Sequence, residues 1–160
     1  MDLNYFAFLS ISFVPLLIAS YWFHPKSLIS RWSGERFTTL TTLGPLRLGI
    51  LFVLSFTLVY GYINLIIHQM GFYELFFTDI MMGSQEAEKI VQDFLGVYGD
   101  KYRYFKHGVF HGLINAFVFA LPFIGIHGLL NNKPLKYMIH LFSYWVLTSL
   151  IIGGLIAEFV

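Results

Sequence analysis

Four long apolar stretches, none with a charged residue near its middle, constrain this chain more than any other feature of its sequence. They cover residues 4–23, 46–67, 107–130 and 137–159. The hydrocarbon core of a bilayer needs roughly 20 apolar residues per helix, so each stretch predicts one transmembrane helix. Only 12% of the 160 residues are charged, about half the share of a soluble domain. The sequence therefore predicts an all-α integral membrane protein, with residues 1–160 as a single membrane domain.

The longest loop, residues 68–106, is where we expect an extramembrane element. Residues 72–82 are apolar but contain two acidic residues, which predicts a short interfacial or re-entrant segment. After Ser84 as a cap, apolar residues recur at helical spacing and predict an amphipathic helix over residues 85–98. Gly99 is expected to end this helix in the left-handed conformation. Such a helix lies on the membrane surface or covers the bundle; the alternative is a lid or a docking helix for a partner.

The distribution of cations predicts an orientation in the membrane. The loop over residues 24–45, counted with Arg47, has a net charge of +3, and the hairpin over residues 131–136 has +2. Residues 68–106 carry four cations against six acids. Loops rich in Lys and Arg stay in the cytoplasm. We therefore expect both termini and the 68–106 loop to lie outside. No cation precedes Lys26, so the first span is expected to be permanent rather than a cleaved signal.

Spans three and four carry small residues at every fourth position. Residues with this spacing stack on one helix face, and small ones let a second helix backbone approach closely inside a membrane. The stripe favours a homo-oligomer or a larger membrane complex. The first functional hypothesis is therefore an accessory or structural subunit that acts through helix packing. The packing residues are Gly108, Gly112, Ala116 and Ala120 in span three and Gly153 and Ala157 in span four.

Histidines near the span ends are the candidate ligands. His107 and His111 are one helical turn apart, so their imidazole nitrogens could bind one metal ion. His68 is expected at the same membrane face as these two, whereas His24, His127 and His140 are a second candidate group at the opposite face. A haem would instead take one histidine from each of two helices. Two alternative functions follow: a metal- or haem-binding membrane protein with a redox or ligand-binding role, and a small oligomeric permease. The histidines are also consistent with ordinary membrane-boundary residues that bind no ligand.

No motif in the sequence indicates an enzyme or a nucleic-acid partner. The chain has no cysteine, and it contains no phosphate-binding glycine loop, nucleophile elbow or HExxH motif. A net charge of +1 is too small to indicate nucleic-acid binding. Ion-coupled transporters usually need an ionisable group inside the membrane, which disfavours that class. The expected partner is the lipid bilayer, and no catalytic residue is predicted.

The chain resembles a bacterial membrane family along nearly its whole length. The resemblance rests on YWFHP at residues 21–25, FKHGVFHG at 105–112 and YW at 144–145 followed by GG at 153–154. The family is the one called domain of unknown function 1761. This resemblance implies a multi-pass protein of the bacterial inner membrane and no established activity. The hairpin Asn131-Asn132-Lys133 departs from the acidic and basic pair usual in the family, which argues against the inner histidines as a family-wide site.

Overall fold

The computed structural model describes residues 3–160, and within them all regular structure is helical. Four helices are long and apolar enough to cross a membrane; we call them spans one to four. Their outward side chains are apolar, as at Leu17 and Leu130, which are 66% and 78% exposed, so these faces contact lipid. The predicted fold class is therefore confirmed. The spans cover Tyr5–Trp22, Pro45–Ile66, Phe105–Leu130 and Leu135–Phe159.

Spans one and three are each built from more than one helical segment. Span one comprises α1 and α2, and span three comprises α7, a π-helical segment and α8. The elements in chain order are α1 (Tyr5–Ile11), α2 (Val14–Trp22), α3 (Leu28–Ser33), a 3₁₀ turn (Leu40–Thr42), α4 (Pro45–Ile66), α5 (His68–Met81), α6 (Gln85–Tyr98), α7 (Phe105–Asn115), the π-helical segment (Ala116–Ala120), α8 (Leu121–Leu130) and α9 (Leu135–Phe159).

The break in span one is stabilised by hydrogen bonds from two other spans. Pro15 has no N–H to continue the helical ladder, and α1 ends just before it. The Ser55 hydroxyl of span two donates to the carbonyl of Ser12. The Tyr144 hydroxyl of span four donates to the carbonyl of Pro15 over 3.0 Å. A carbonyl freed by the break must find a partner inside a membrane, and Ser12 finds one on span two. The additional bond to Pro15, at the start of α2, brings span four to the same region.

Spans three and four pack with their backbones in contact. A Cβ added at Gly108 would lie 2.6 Å from the Gly153 carbonyl carbon and 2.7 Å from the Ala157 side chain. A Cβ added at Gly112 would lie 2.7 Å from the Ser149 carbonyl carbon. The small-residue stripe is therefore occupied by the fourth span of the same chain.

The chain termini and the long loop lie at one end of the bundle. The Asn4 N–H donates to the Val160 carbonyl over 3.4 Å, and Glu158 at the end of span four accepts from the Phe105 N–H over 2.7 Å. At the opposite end, Ser33 in the first loop lies 2.8 Å from Nδ1 of His140. The spans therefore alternate in direction, and both termini share one side with residues 68–106.

Helices α5 and α6 form a hairpin outside the four spans. The rings of Phe72 and Phe94 stack between them, with centroids 3.8 Å apart. The predicted cap is present, because Ser84 accepts from the Ala87 N–H over 3.3 Å. The prediction for Gly99 is wrong: this residue is right-handed. The left-handed turn comes three residues later, at Tyr102, where φ is +66°.

We expect Gly112→Ile to destabilise the folded protein, since any side chain there must separate α7 from α9. Overpacking of this kind costs about 3 kcal/mol or more. The matched control is Gly125→Ile in the same span, where an added Cβ meets nothing within 4 Å. Thermal unfolding of the detergent-solubilised variants measures the difference. Equal midpoints for the two variants would contradict the close packing.

Candidate metal centre

Three histidines from two segments of the chain meet at the end of the bundle that carries the termini. The possible ligand atoms of His68, His107 and His111 all lie within 4.8 Å of one another. The Nε2 atoms of His68 and His107 are 3.3 Å apart. His68 is exposed, and the other two are half-buried. Within residues 3–160, no other set of three or more His, Cys, Asp or Glu side chains comes this close together.

The helical repeat and a helix break position the three rings. His107 and His111 are one turn apart on α7, so their side chains project from the same face. His68 is the first residue of α5, directly after the break at Ile67, whose backbone is extended with φ −90° and ψ 90°. Ile67 is completely buried. This buried anchor directs the next side chain to the start of span three.

The loop between α6 and α7 covers the histidines from one side. The Tyr102 ring stacks on the His107 ring, with centroids 5.0 Å apart and planes 20° apart. A left-handed φ is unfavourable for an aromatic residue and is retained only where the surroundings impose it. Here the imposing group is Gln69, which is 4% exposed. Its amide donates to the carbonyls of Tyr98 and Lys101 over 2.7 and 2.8 Å.

The donor set fits a divalent transition-metal ion. Zinc binds imidazole nitrogen at about 2.0–2.1 Å, so two nitrogens at the corners of its tetrahedron are about 3.3–3.4 Å apart. The spacing of His68 and His107 matches this edge. A ligand nitrogen of His111 lies within 4.8 Å of those of the other two and would be the third ligand, with a fourth position open to water.

A haem fits these histidines less well. The three rings are in mutual edge contact, with centroids 4.5 to 5.4 Å apart. Two axial ligands must lie on opposite faces of a flat macrocycle, and no such gap separates these rings. The geometry favours an ion over a haem.

The second predicted histidine group is not brought together. His24 and His127 are exposed, and each interacts with a nearby residue of its own segment: the Lys26 N–H and the Asn131 side chain, respectively. His140 is fully buried and stacks on Phe23, with centroids 5.4 Å apart. Its contact with Ser33 joins the first loop to span four.

The predicted packing residues lie along the contact between spans three and four, except at its inner end. Gly108, Gly112, Gly153 and Ala157 form the contact itself. Ala116 is fully buried, whereas Ala120 is half-buried and lines a cleft between the spans.

Sequence reasoning placed His68 at the same membrane face as His107 and His111 without naming it a ligand, and it missed Gln69 and Tyr102. His68 precedes His107 by 39 residues, so no spacing rule connects them. Two signals were available. His68 directly follows an apolar stretch and therefore lies at a membrane boundary, and residues 68–106 return the chain to the same boundary for span three.

Comparison of the chain with family models, with curated proteins and with solved structures gives no match. The resemblance to the family called domain of unknown function 1761 therefore stays a prediction.

We expect Gln69→Leu to loosen the loop that covers the histidines, because the carbonyls of Tyr98 and Lys101 lose their donor. The expected loss is about 2 kcal/mol. Trypsin cleavage after Lys101 or Arg103 should become faster. The control is Gln92→Leu, an exposed glutamine with a single side-chain hydrogen bond to Glu88. Unchanged cleavage in the Gln69 variant would show that the loop is held by other contacts.

Proposed function

We propose that this multi-pass membrane protein binds a divalent transition-metal ion through His68, His107 and His111. One observation carries the proposal: three imidazoles converge within 4.8 Å, two of them at the spacing of a tetrahedral edge. Imidazole is a good ligand for zinc, copper, nickel and iron. Zinc is the first ion to test, because three histidines with an open fourth position are one of its established environments.

The surroundings of the three rings support binding. The hydrogen bond from the Phe105 N–H to Glu158 fixes the start of α7 two residues before His107. Ile67 fixes the start of α5, and Gln69 holds the covering loop. A site whose ligands are held before the ion arrives loses less conformational entropy on binding. The exposed His68 ring leaves a path for the ion from solvent.

The two other hypotheses receive less support. The accessory-subunit hypothesis rested on a free stripe of small residues, and α9 covers the stripe at Gly108 and Gly112. A second copy or partner would have to use another surface. The permease hypothesis needs a polar path between copies. The outward faces of the spans are mostly apolar, which disfavours such a path.

The orientation belongs to the same proposal. With the more basic loops in the cytoplasm, the termini and residues 68–106 lie outside, and the three histidines face the external compartment. The protein would then bind an ion supplied from outside the cytoplasm of a bacterial cell. The ion need not cross the bilayer to reach the site.

Removal of one ligand should weaken zinc binding. Loss of a residue that only hydrogen-bonds to a metal ligand lowers metal affinity 10- to 100-fold. We expect a larger fall in zinc affinity for His111→Ala and for His68→Ala, which remove a ligand itself. Binding should also weaken at acidic pH, because only the neutral imidazole is a ligand. Titration of metal-depleted protein in mild detergent against a chromogenic chelator measures the affinity. His127→Ala, near the other end of the same span, is the control. Equal zinc binding by His111→Ala and His127→Ala would contradict the proposal.

Single-cysteine variants test the orientation, because the natural chain has no cysteine. Lys89→Cys on α6 and Lys133→Cys in the hairpin both replace exposed residues. A membrane-impermeant maleimide should label position 89 in intact cells and position 133 only after lysis. The reverse pattern would place the histidines on the cytoplasmic side and leave the metal site itself unaffected.

A further inference from the structure

A cleft of about 1000 Å³ lies between the four spans, apart from the three histidines. Its walls are mostly leucine, phenylalanine and other apolar side chains from every span. In the described chain, residues 3–160, no charged side chain and no histidine lines it. This volume is at the upper end of the range for small-molecule sites, about 300–1000 Å³.

One polar group in the cleft wall lacks a partner. Asn115 is only 6% exposed, and its Nδ2 makes no hydrogen bond to any described residue. The two tyrosine hydroxyls of the wall are paired: the Tyr62 hydroxyl lies 2.7 Å from the Ser149 hydroxyl, and Tyr144 donates to Pro15. An unpaired amide in hydrocarbon costs several kcal/mol. The Nδ2 atom is itself covered by protein, so a ligand in the cleft would reach it after the amide rotates about its last side-chain bond. The hydrogen bond formed would then remove the cost.

The helices that form the wall are irregular beside this amide. Span three changes to a π-helix directly after Asn115, and Phe119 and Ala120 of the π-helical segment face the cleft. Such segments are frequently found at functional sites. Span one is broken just before Pro15, which also lines the cleft. Irregular backbone at membrane depth is tolerated where it is buried in protein or lines a cavity.

We propose that the cleft binds a neutral membrane lipid with a long apolar chain, whose carbonyl or hydroxyl oxygen hydrogen-bonds to the Asn115 amide. The apolar walls select the chain. The absence of a cation among the lining residues disfavours a phosphate headgroup, whose charge would be buried unpaired. Two lipid classes share this chemistry: an isoprenoid quinone, with ring carbonyls, and a diacylglycerol, with ester carbonyls and a hydroxyl. The site is independent of the proposed metal centre.

Quenching of tryptophan fluorescence by decylubiquinone in detergent tests the proposal, because Trp145 lines the cleft. The wild type should show saturable quenching with one quinone per chain. Asn115→Leu should weaken binding by about three- to tenfold, the value of one hydrogen bond. The same variant should unfold at an equal or higher temperature, since it removes the unpaired amide. Asn64→Leu, at an exposed position of span two, is the matched control.

A second pair of variants tests whether a side chain that fills the cleft prevents binding. Gly61 lines the cleft and Gly49 does not, and an added Cβ meets nothing within 4 Å at either residue. Gly61→Leu should abolish saturable quenching, and Gly49→Leu should keep it. Displacement of the quinone by dioleoylglycerol would identify the diacylglycerol class as a ligand of the same cleft; no displacement would assign the cleft to quinones. Quenching that never saturates, or that is the same in Asn115→Leu and Asn64→Leu, overturns the proposal.

Discussion

The backbone contact between spans three and four determines where every candidate functional group lies. Glycines at positions 108, 112 and 153 let α7 and α9 touch, and this contact fixes the rotation of α7 about its axis. Successive residues of a helix are about 100° apart, so the residues one position before each member of the stripe share a neighbouring face. These residues are His107, His111 and Asn115. The two histidines of this face meet His68, and the asparagine lines the cleft. A single packing constraint therefore orients side chains of two different sites, the histidine cluster and the cleft.

The bundle is packed unevenly along its length, and the difference suits the two sites. Near the termini, the buried cluster includes Ile63, Ile66, Ile67, Ile156 and Val160. Dense packing of β-branched side chains gives the rigid support that fixed ligand positions require. Towards the other end the spans separate around the cleft, and no described residue hydrogen-bonds to Nδ2 of Asn115 in its wall. An apolar volume that the protein does not fill is available to a lipid-soluble molecule.

The sequence predicts the parts of the structure that depend on local pattern. Apolar length predicts the four spans, the i, i+4 spacing predicts that His107 and His111 share a face, and Ser84 with its apolar periodicity predicts α6. Other features depend on contacts between distant segments. His68 joins the histidines through a helix break at Ile67 that no proline or glycine marks, and the left-handed turn is at Tyr102 rather than Gly99 because Gln69 holds the loop there. Small residues predict a close helix contact without identifying the partner, which is the neighbouring span of the same chain. No sequence pattern predicts the cleft, because its position depends on where the four spans are not in contact with one another.

The coordination shell of the bound ion tests the central claim most directly. X-ray absorption at the zinc edge, on protein loaded with one equivalent of zinc in mild detergent, reports ligand type and distance. Three imidazole nitrogens at about 2.0–2.1 Å with one further light ligand, and the loss of one imidazole in His68→Ala, are the predicted results. A shell of oxygen ligands without imidazole, or a spectrum unchanged in His68→Ala, would contradict a metal centre built from these three histidines.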